Sequence, residues 1–215
     1  NNSGVGKFSN TQLKKMLAGK QVSVTPFIGT LANGISASST PKDLETAFQL
    51  MYMMYCQPRF DQNEYDLGIN QLKAYLPNMV AQPQYKFQQI LIKTVFGENT
   101  RRRHVLNEEV LEKANLQTFE KVYRSLFSDA AGLTLYVVGN VDVNTVKPLI
   151  EKYVGSIKKG KKAPKWIDNE DRIAKGEVIN HTSIEMETPK STVFQFYTID
   201  TPYSVEKSVL YDAAK

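Results

Sequence analysis

Apolar side chains recur at helical spacing over several stretches of this 215-residue chain, separated by Gly, Pro and Asn. Asn10 is placed to cap a first short helix reaching about Ala18, with Gly19 as its left-handed stop. Residues 21–28 and 32–38 read as two short strands, with Gly29 and Asn33-Gly34 at the turns. Thr40-Pro41 opens a helix whose Leu44, Ala47, Phe48, Met51 and Tyr55 share one face. Asp61 can cap the next helix, which carries Tyr65, Ile69, Leu72 and Leu76 and is expected to break near Pro77. A third follows Pro83, with Phe87, Ile90, Leu91 and Val95 inward and Gly97 near its end. Residues 98–105 are polar and read as a loop, and helices are expected over 108–113 and 116–127. The second of these should bury Phe119, Val122, Tyr123 and Leu126.

The run LTLYVV at 133–138 is continuously apolar, as in a strand central to a sheet. Gly139-Asn140 breaks it, and Asp142 caps a helix striped by Val146, Leu149 and Ile150. One glycine at that turn is far from a GxGxxG or GxxxxGKS/T phosphate loop. Beyond it the composition turns to Lys, Gly and Pro, so residues 158–172 read as a linker. Residues 177–186 and 192–199 alternate like strands, and a helix begins near Tyr203. The fold class expected is α+β, a mixed or antiparallel sheet packed on helices. Residues 1–157 form most of one domain and 173–215 open a second.

Charge and composition exclude several functions. The net charge of +5 comes largely from residues 101–104 and 158–165, neither interleaved with aromatics as a nucleic-acid stacking platform requires. No apolar run approaches the roughly 18–20 residues that cross a bilayer. The single Cys56 forbids an internal disulfide and any multi-cysteine metal site, and its position ending an apolar helix suits a buried, inert thiol.

The two histidines, His104 and His181, are 77 positions apart. A zinc site of the HExxH or HxxEH type needs two imidazoles one helical turn apart, with a carboxylate to activate water. Neither pattern occurs, and three arginines beside His104 disfavour a cation there. A serine or cysteine nucleophile would need a histidine base and an orienting acid, which the sequence does not bring together. Glu108 and Glu109 fit first-turn acids at a helix N-terminus. No catalytic, cofactor-binding or metal-ligating residue is therefore assigned.

Several phrases in order carry a resemblance: GKFSNTQLKKMLAGK at 6–20, STPKDLE at 39–45, QPRFD at 57–61, LTLYVVGNVD at 133–142, PLIEKYVG at 148–155 and METPK at 186–190. Together they resemble the C-terminal, non-catalytic half of a long bacterial member of the pitrilysin/insulinase-type (inverted zincin) zinc peptidases. Members of that family have two similar halves, each of two α+β domains, closing like a clamshell around a peptide. The first half binds zinc through an inverted HxxEH helix and a downstream glutamate; the second has usually lost those ligands. Here residues 67–97, where the distal glutamate would fall, contain no Asp or Glu. The resemblance implies that the HxxEH-type helix should lie before Asn1 and the substrate-binding arginine and tyrosine beyond Lys215. It implies no cofactor in this chain, zinc in the N-terminal half of the parent, and that zinc-bearing half and a peptide substrate as partners. The parent is expected in the periplasm or cell envelope. The alternative is a scaffold of the same fold without peptidase activity, like the core subunits of processing-peptidase and cytochrome complexes.

Overall fold

The computed structural model describes residues 3–29, 32–97, 105–127, 129–160, 163, 165, 167–168, 172–185, 188–197 and 201–213. His104, Trp166 and six other residues of the 158–172 segment lie outside these residues. The architecture is α+β, helix-rich with a small antiparallel sheet. The chain divides into two compact units, one of residues 1–79 and 106–168 and one of 80–105 and 169–215.

The first unit is organised around a hairpin and one helix. Strand β1 (Val22–Ile28) pairs antiparallel with β2 (Asn33–Ser39), from Val22 opposite Ser39 to Ile28 opposite Asn33. The Gly29 amide donates to the Ala32 carbonyl at 2.9 Å and the Thr40 amide to the Gln21 carbonyl at 3.3 Å, which fixes the phase of the ladder. Because bonded and non-bonded pairs alternate, Thr25 and Phe27 turn their amides toward β2, while Val24, Pro26 and Ile28 turn theirs outward. Proline in a strand is tolerated where its missing N–H faces away from the ladder, which is where Pro26 stands.

Helix α1 (Asn10–Met16) is capped by Ser9, not Asn10. The Ser9 hydroxyl accepts from the Gln12 amide at 3.3 Å while the Gln12 side chain accepts from the Ser9 amide at 2.9 Å. This reciprocal box satisfies two donors at once, where Asn10 could satisfy one.

Helix α2 (Leu44–Cys56), entered through a single 3-10 turn at Pro41–Asp43, packs on both strands and buries Ala47, Phe48 and Leu50. Asp43 is buried at the corner, where its carboxylate accepts from the Gln21 amide at 2.9 Å and the Thr40 hydroxyl at 3.2 Å. Lys20 stands 3.8 Å away, so one side chain ties the start of β1 to the start of α2.

Asp61 caps α3 (Gln62–Val80), accepting from the Asn63 and Glu64 amides at 3.1 and 3.2 Å. This helix runs through Pro77 instead of breaking there. Proline removes one bond in a helix interior, and burial of Leu76 on the adjoining position holds the last turn in place.

Helices α5 (Glu108–Lys113) and α6 (Leu116–Leu126) are capped by Asn107 and Asn115, each accepting from a backbone amide three residues on. Tyr123 and Phe127 are buried, but Phe119 and Val122, expected inward, are about half exposed. The apolar stripe of α6 is wider than the surface it covers.

Asp142 stands at the N-cap position of α7 (Val143–Leu149), although its carboxylate accepts from the Thr145 hydroxyl and the Asn144 amide side chain, not from the backbone. Pro148 cannot donate within α7, and the chain widens into a π turn over Ile150–Val154 closed by Gly155 N–H to Ile150 O at 2.9 Å. The π turn presents Tyr153 and Lys152 to α2. The Tyr153 ring stacks on Phe48 at 6.4 Å, and Lys152 and the Tyr153 hydroxyl reach Glu45 at 2.9 and 2.8 Å.

The clearest departure from sequence expectation is residues 133–138. They carry no regular secondary structure and pair with no strand among the described residues, and Tyr136 and Val138 are exposed. A continuous apolar run reports a preference for burial on both faces; it does not supply the neighbours. At the start of the expected linker, the Ala130 amide donates to the Lys158 carbonyl at 2.8 Å. Gly160 lies so close to Asp129 and Ala131 that a side chain there would collide with them.

The second unit holds α4 (Pro83–Phe96), segments without regular secondary structure over 177–185 and 189–197, and α8 (Val205–Ala213). Gly97 ends α4 with a positive φ of 62°. Tyr85 and Val95 are buried, the Ala174 amide donates to the Val95 carbonyl at 2.8 Å, and Asn180 donates to the Thr94 hydroxyl at 2.7 Å. Phe87, Phe194 and Phe196 form a row with centroid spacings of 5.4 and 6.1 Å. The expected strands at 177–186 and 192–199 form no ladder among the described residues, and Val205, Val209 and Leu210 of α8 are exposed.

Candidate functional site

The described residues contain no group of three or more His, Cys, Asp or Glu side chains able to hold a metal ion. His181 is exposed. Glu109 is paired with Lys113 one turn away on α5, an exposed helix pair. Cys56, expected to be buried, is exposed at the end of α2. Partial desolvation nonetheless pushes its thiol pKa up, against a hydrogen bond from Tyr52 that lowers it. A raised pKa keeps the sulfur in its unreactive thiol form near neutral pH.

The end of α2 is fixed by a different polar contact. The Met54 carbonyl would ordinarily accept from the amide four residues on, but that residue is Pro58, which has none. The Tyr123 hydroxyl supplies the bond instead, at 2.9 Å. Burial pushes the Tyr123 phenol up to about 12, so it remains a donor across the physiological range. At the next residue, the Tyr55 hydroxyl donates to the Asp129 carbonyl at 2.5 Å, and burial raises its pKa as well.

One concave surface stands out in the first unit. A cavity of about 300 Å³ lies between the outer side of β2, the first turns of α2 and residues 135–141. Ile35, Ala37, Phe48, Met51 and Leu135 supply its apolar lining, and no charged side chain contributes to it. Such a surface can hold an uncharged extended chain by shape and backbone hydrogen bonds; its polar side chains are the hydroxyls of Ser38, Ser39, Thr40 and Tyr136 and the amide of Asn140, with no carboxylate or imidazole in the lining. Sequence reasoning did not single out these residues. The available signal was β2 itself, NGISASS, a strand without charge or proline.

Comparison with known proteins points to a peptidase family. Residues 113–210 match the peptidase M16 inactive domain. The chain is similar to the M16 peptidases, over this span to their inactive domain. The probable zinc protease PqqL of Escherichia coli (strain K12) is 28% identical over 156 residues, covering 73% of this chain and 16% of that protein. Its counterpart in Haemophilus influenzae (strain ATCC 51907 / DSM 11121 / KW20 / Rd) is 21% identical, covering 97% of this chain and 22% of that protein. The chain thus spans about a fifth of the length of these relatives.

Solved structures show the same fold. The periplasmic protease PqqL from Escherichia coli superimposes with a TM-score of 0.60 at 26% identity, covering 75% of this chain and 18% of that one. A mutant of the ferredoxin protease FusC, in complex with Arabidopsis ferredoxin, gives 0.63 at 17% identity, covering 81% and 19%. The resemblance to pitrilysin/insulinase-type peptidases read from the ordered phrases is therefore supported from 113 onward by the inactive-domain match and more widely by PqqL.

Proposed function

We propose that this chain is an M16 peptidase segment working as the non-catalytic half of a zinc metallopeptidase, helping to enclose and bind a peptide that another part of the same polypeptide cleaves. The observation that carries the reading is the match of residues 113–210 to the inactive domain of the family. The lack of an assignable nucleophile or metal-binding pattern in the sequence supports it. Zinc belongs, on this reading, to the N-terminal half of the parent, which is this chain's principal partner. The periplasmic location of the similar Escherichia coli protease supports a periplasmic or envelope setting for the parent. Within the chain, residues 1–157 serve as one domain, 158–172 as the connector and 173–215 as the start of the next.

Metal analysis and a peptide-cleavage assay on the chelator-washed 215-residue chain test this directly. The expected result is no stoichiometric zinc and no hydrolysis by the chain alone, with chelator-sensitive cleavage by the full-length polypeptide. One tightly held zinc per chain, together with chelator-sensitive turnover by the chain itself, overturns the proposal.

A further inference from the structure

The pair Asn33-Gly34 reads in the sequence as a hairpin turn, but the structure places it inside β2. The ladder is already formed there. The Gly29 amide donates to the Ala32 carbonyl at 2.9 Å, Asn33 stands opposite Ile28 and Gly34 opposite Phe27. The alternation that turns the Phe27 amide toward β2 makes Phe27 and Gly34 a bonded pair, so the Gly34 amide donates to the Phe27 carbonyl.

Asparagine followed by glycine is chemically reactive. Once the Gly34 amide loses its proton, its nitrogen can attack Cγ of Asn33, because Gly34 has no Cβ to obstruct the approach. A bond forms between that nitrogen and Cγ, the bond from Cγ to Nδ2 breaks, and the departing nitrogen takes up a proton and leaves as ammonia. The five-membered succinimide left behind is opened by water at either carbonyl. One opening gives aspartate; the other routes the main chain through the side-chain carbons and gives isoaspartate. Water is the only co-reactant.

Three features of the hairpin oppose the attack. An antiparallel strand holds ψ at about +135°, which aims the following nitrogen away from Cγ. The ladder bond keeps the proton on the Gly34 nitrogen. The Phe27 ring lies over the glycine, so close that a Cβ there would stand 3.0 Å from two ring carbons. The restraint is local, however. Asn33 and Ile28 form the last pair of the two strands and both are exposed, and Phe27 itself is 46% exposed. Such ends open at free energies far below that of global unfolding.

We propose that Asn33-Gly34 is a latent self-modification site, locked by the ladder and the Phe27 ring and converted to aspartate or isoaspartate when the end of the hairpin opens. Conversion puts a carboxylate on β2 two residues from Ile35, which lines the uncharged cavity. Isoaspartate also lengthens the backbone by one atom, which ends the pairing of Asn33 with Ile28.

Peptide mapping by mass spectrometry on the full chain, held at neutral pH with and without urea, follows aspartate and isoaspartate at position 33. In urea Asn33 should convert ahead of the chain's other asparagines. In buffer it should convert roughly tenfold or more slowly than in urea. Phe27→Ala should raise the buffer rate roughly threefold or more and leave the urea rate unchanged. Tyr123→Phe, which acts at the end of α2, should leave the buffer rate within about twofold, whereas a route through whole-chain unfolding would raise it about 5–30-fold. Slower conversion of Asn33 than of other asparagines in urea overturns the site. Equal rates in buffer and urea, or a buffer rate indifferent to Phe27→Ala, overturn the lock. A buffer rate raised as much by Tyr123→Phe as by Phe27→Ala overturns the opening of the hairpin end as its route.

Discussion

Tyr123→Phe isolates a single hydroxyl and asks how much it holds. Tyr123 is 4% exposed, with its ring edge-on to Phe60 at 5.6 Å and tilted against Phe127 at 4.7 Å. The substitution keeps these ring contacts and deletes only the donor to Met54. A neutral hydrogen bond contributes about 0.5–1.5 kcal/mol net, and a buried acceptor left without a partner costs about 1–3 kcal/mol. Met54 has no second donor within its helix, because the residue four positions on is Pro58. The larger figure therefore applies, and we expect a loss of about 1–2 kcal/mol from a domain stability of about 5–15 kcal/mol. Urea unfolding followed by circular dichroism measures it as a shift in midpoint at constant m-value. Tyr136→Phe, at a residue 83% exposed, is the control and should stay within about 0.5 kcal/mol of the unsubstituted chain. A Tyr123→Phe loss no greater than that control would refute the claim that this hydroxyl replaces the missing proline donor.

Phe48→Ala should cost about 3–5 kcal/mol in the same assay, since Phe48 is buried under the hairpin and stacked on Tyr153. Asp43→Asn should destabilise the chain at neutral pH and much less in acid. The Gln21 amide, then Thr40 and Lys20, hold the Asp43 carboxyl below the usual range, so its contribution is present above about pH 4 and lost as pH falls through the lowered native value. Thermal melts from pH 7 down to pH 2 should show the two proteins converging. Tyr123 acts at the other end of the scale. Its pKa, raised to about 12, makes its contribution complete below about pH 10 and lost as pH climbs through 12, a dependence Tyr123→Phe should remove from alkaline melts. Glu109→Gln, in an exposed pair with Lys113, should change stability by no more than about 0.5 kcal/mol in urea unfolding.

What was legible in the sequence divides along the range of the forces involved. Helix positions follow from local spacing and local caps, so α2, α4, α5 and α6 lie where periodicity places them, and Asp61 and Gly97 stand at the ends assigned to them. The Ser9 cap was legible too: Ser-Asn-Thr-Gln satisfies the capping-box spacing, and the box outranks the single asparagine. Pro77 and the outer face of α6 were not legible. A proline inside a helix costs a known local amount, while the burial of Leu76 beside it is not fixed by local spacing. The expectation that the chain holds no zinc site of its own rests on two histidines 77 positions apart, too far for a one-turn ligand pair.

The cavity beside β2 belongs to a third category, because it arises from a mismatch between local and long-range demands. Residues 133–138 have the composition of a buried strand, and β2 has the edge of an interior one, yet neither is paired on the side that its chemistry favours. Sequence registers each preference separately but not whether the two are met by one another. The hairpin phase does, because it fixes which amides of β2 point outward, and they are those of Ile35 and Ala37, two of the residues lining the cavity. A charged or prolyl residue at either position would have marked β2 as a true outer edge, as Pro26 marks β1. Among the described residues β2 carries no such guard, and the uncharged cavity lies beside it.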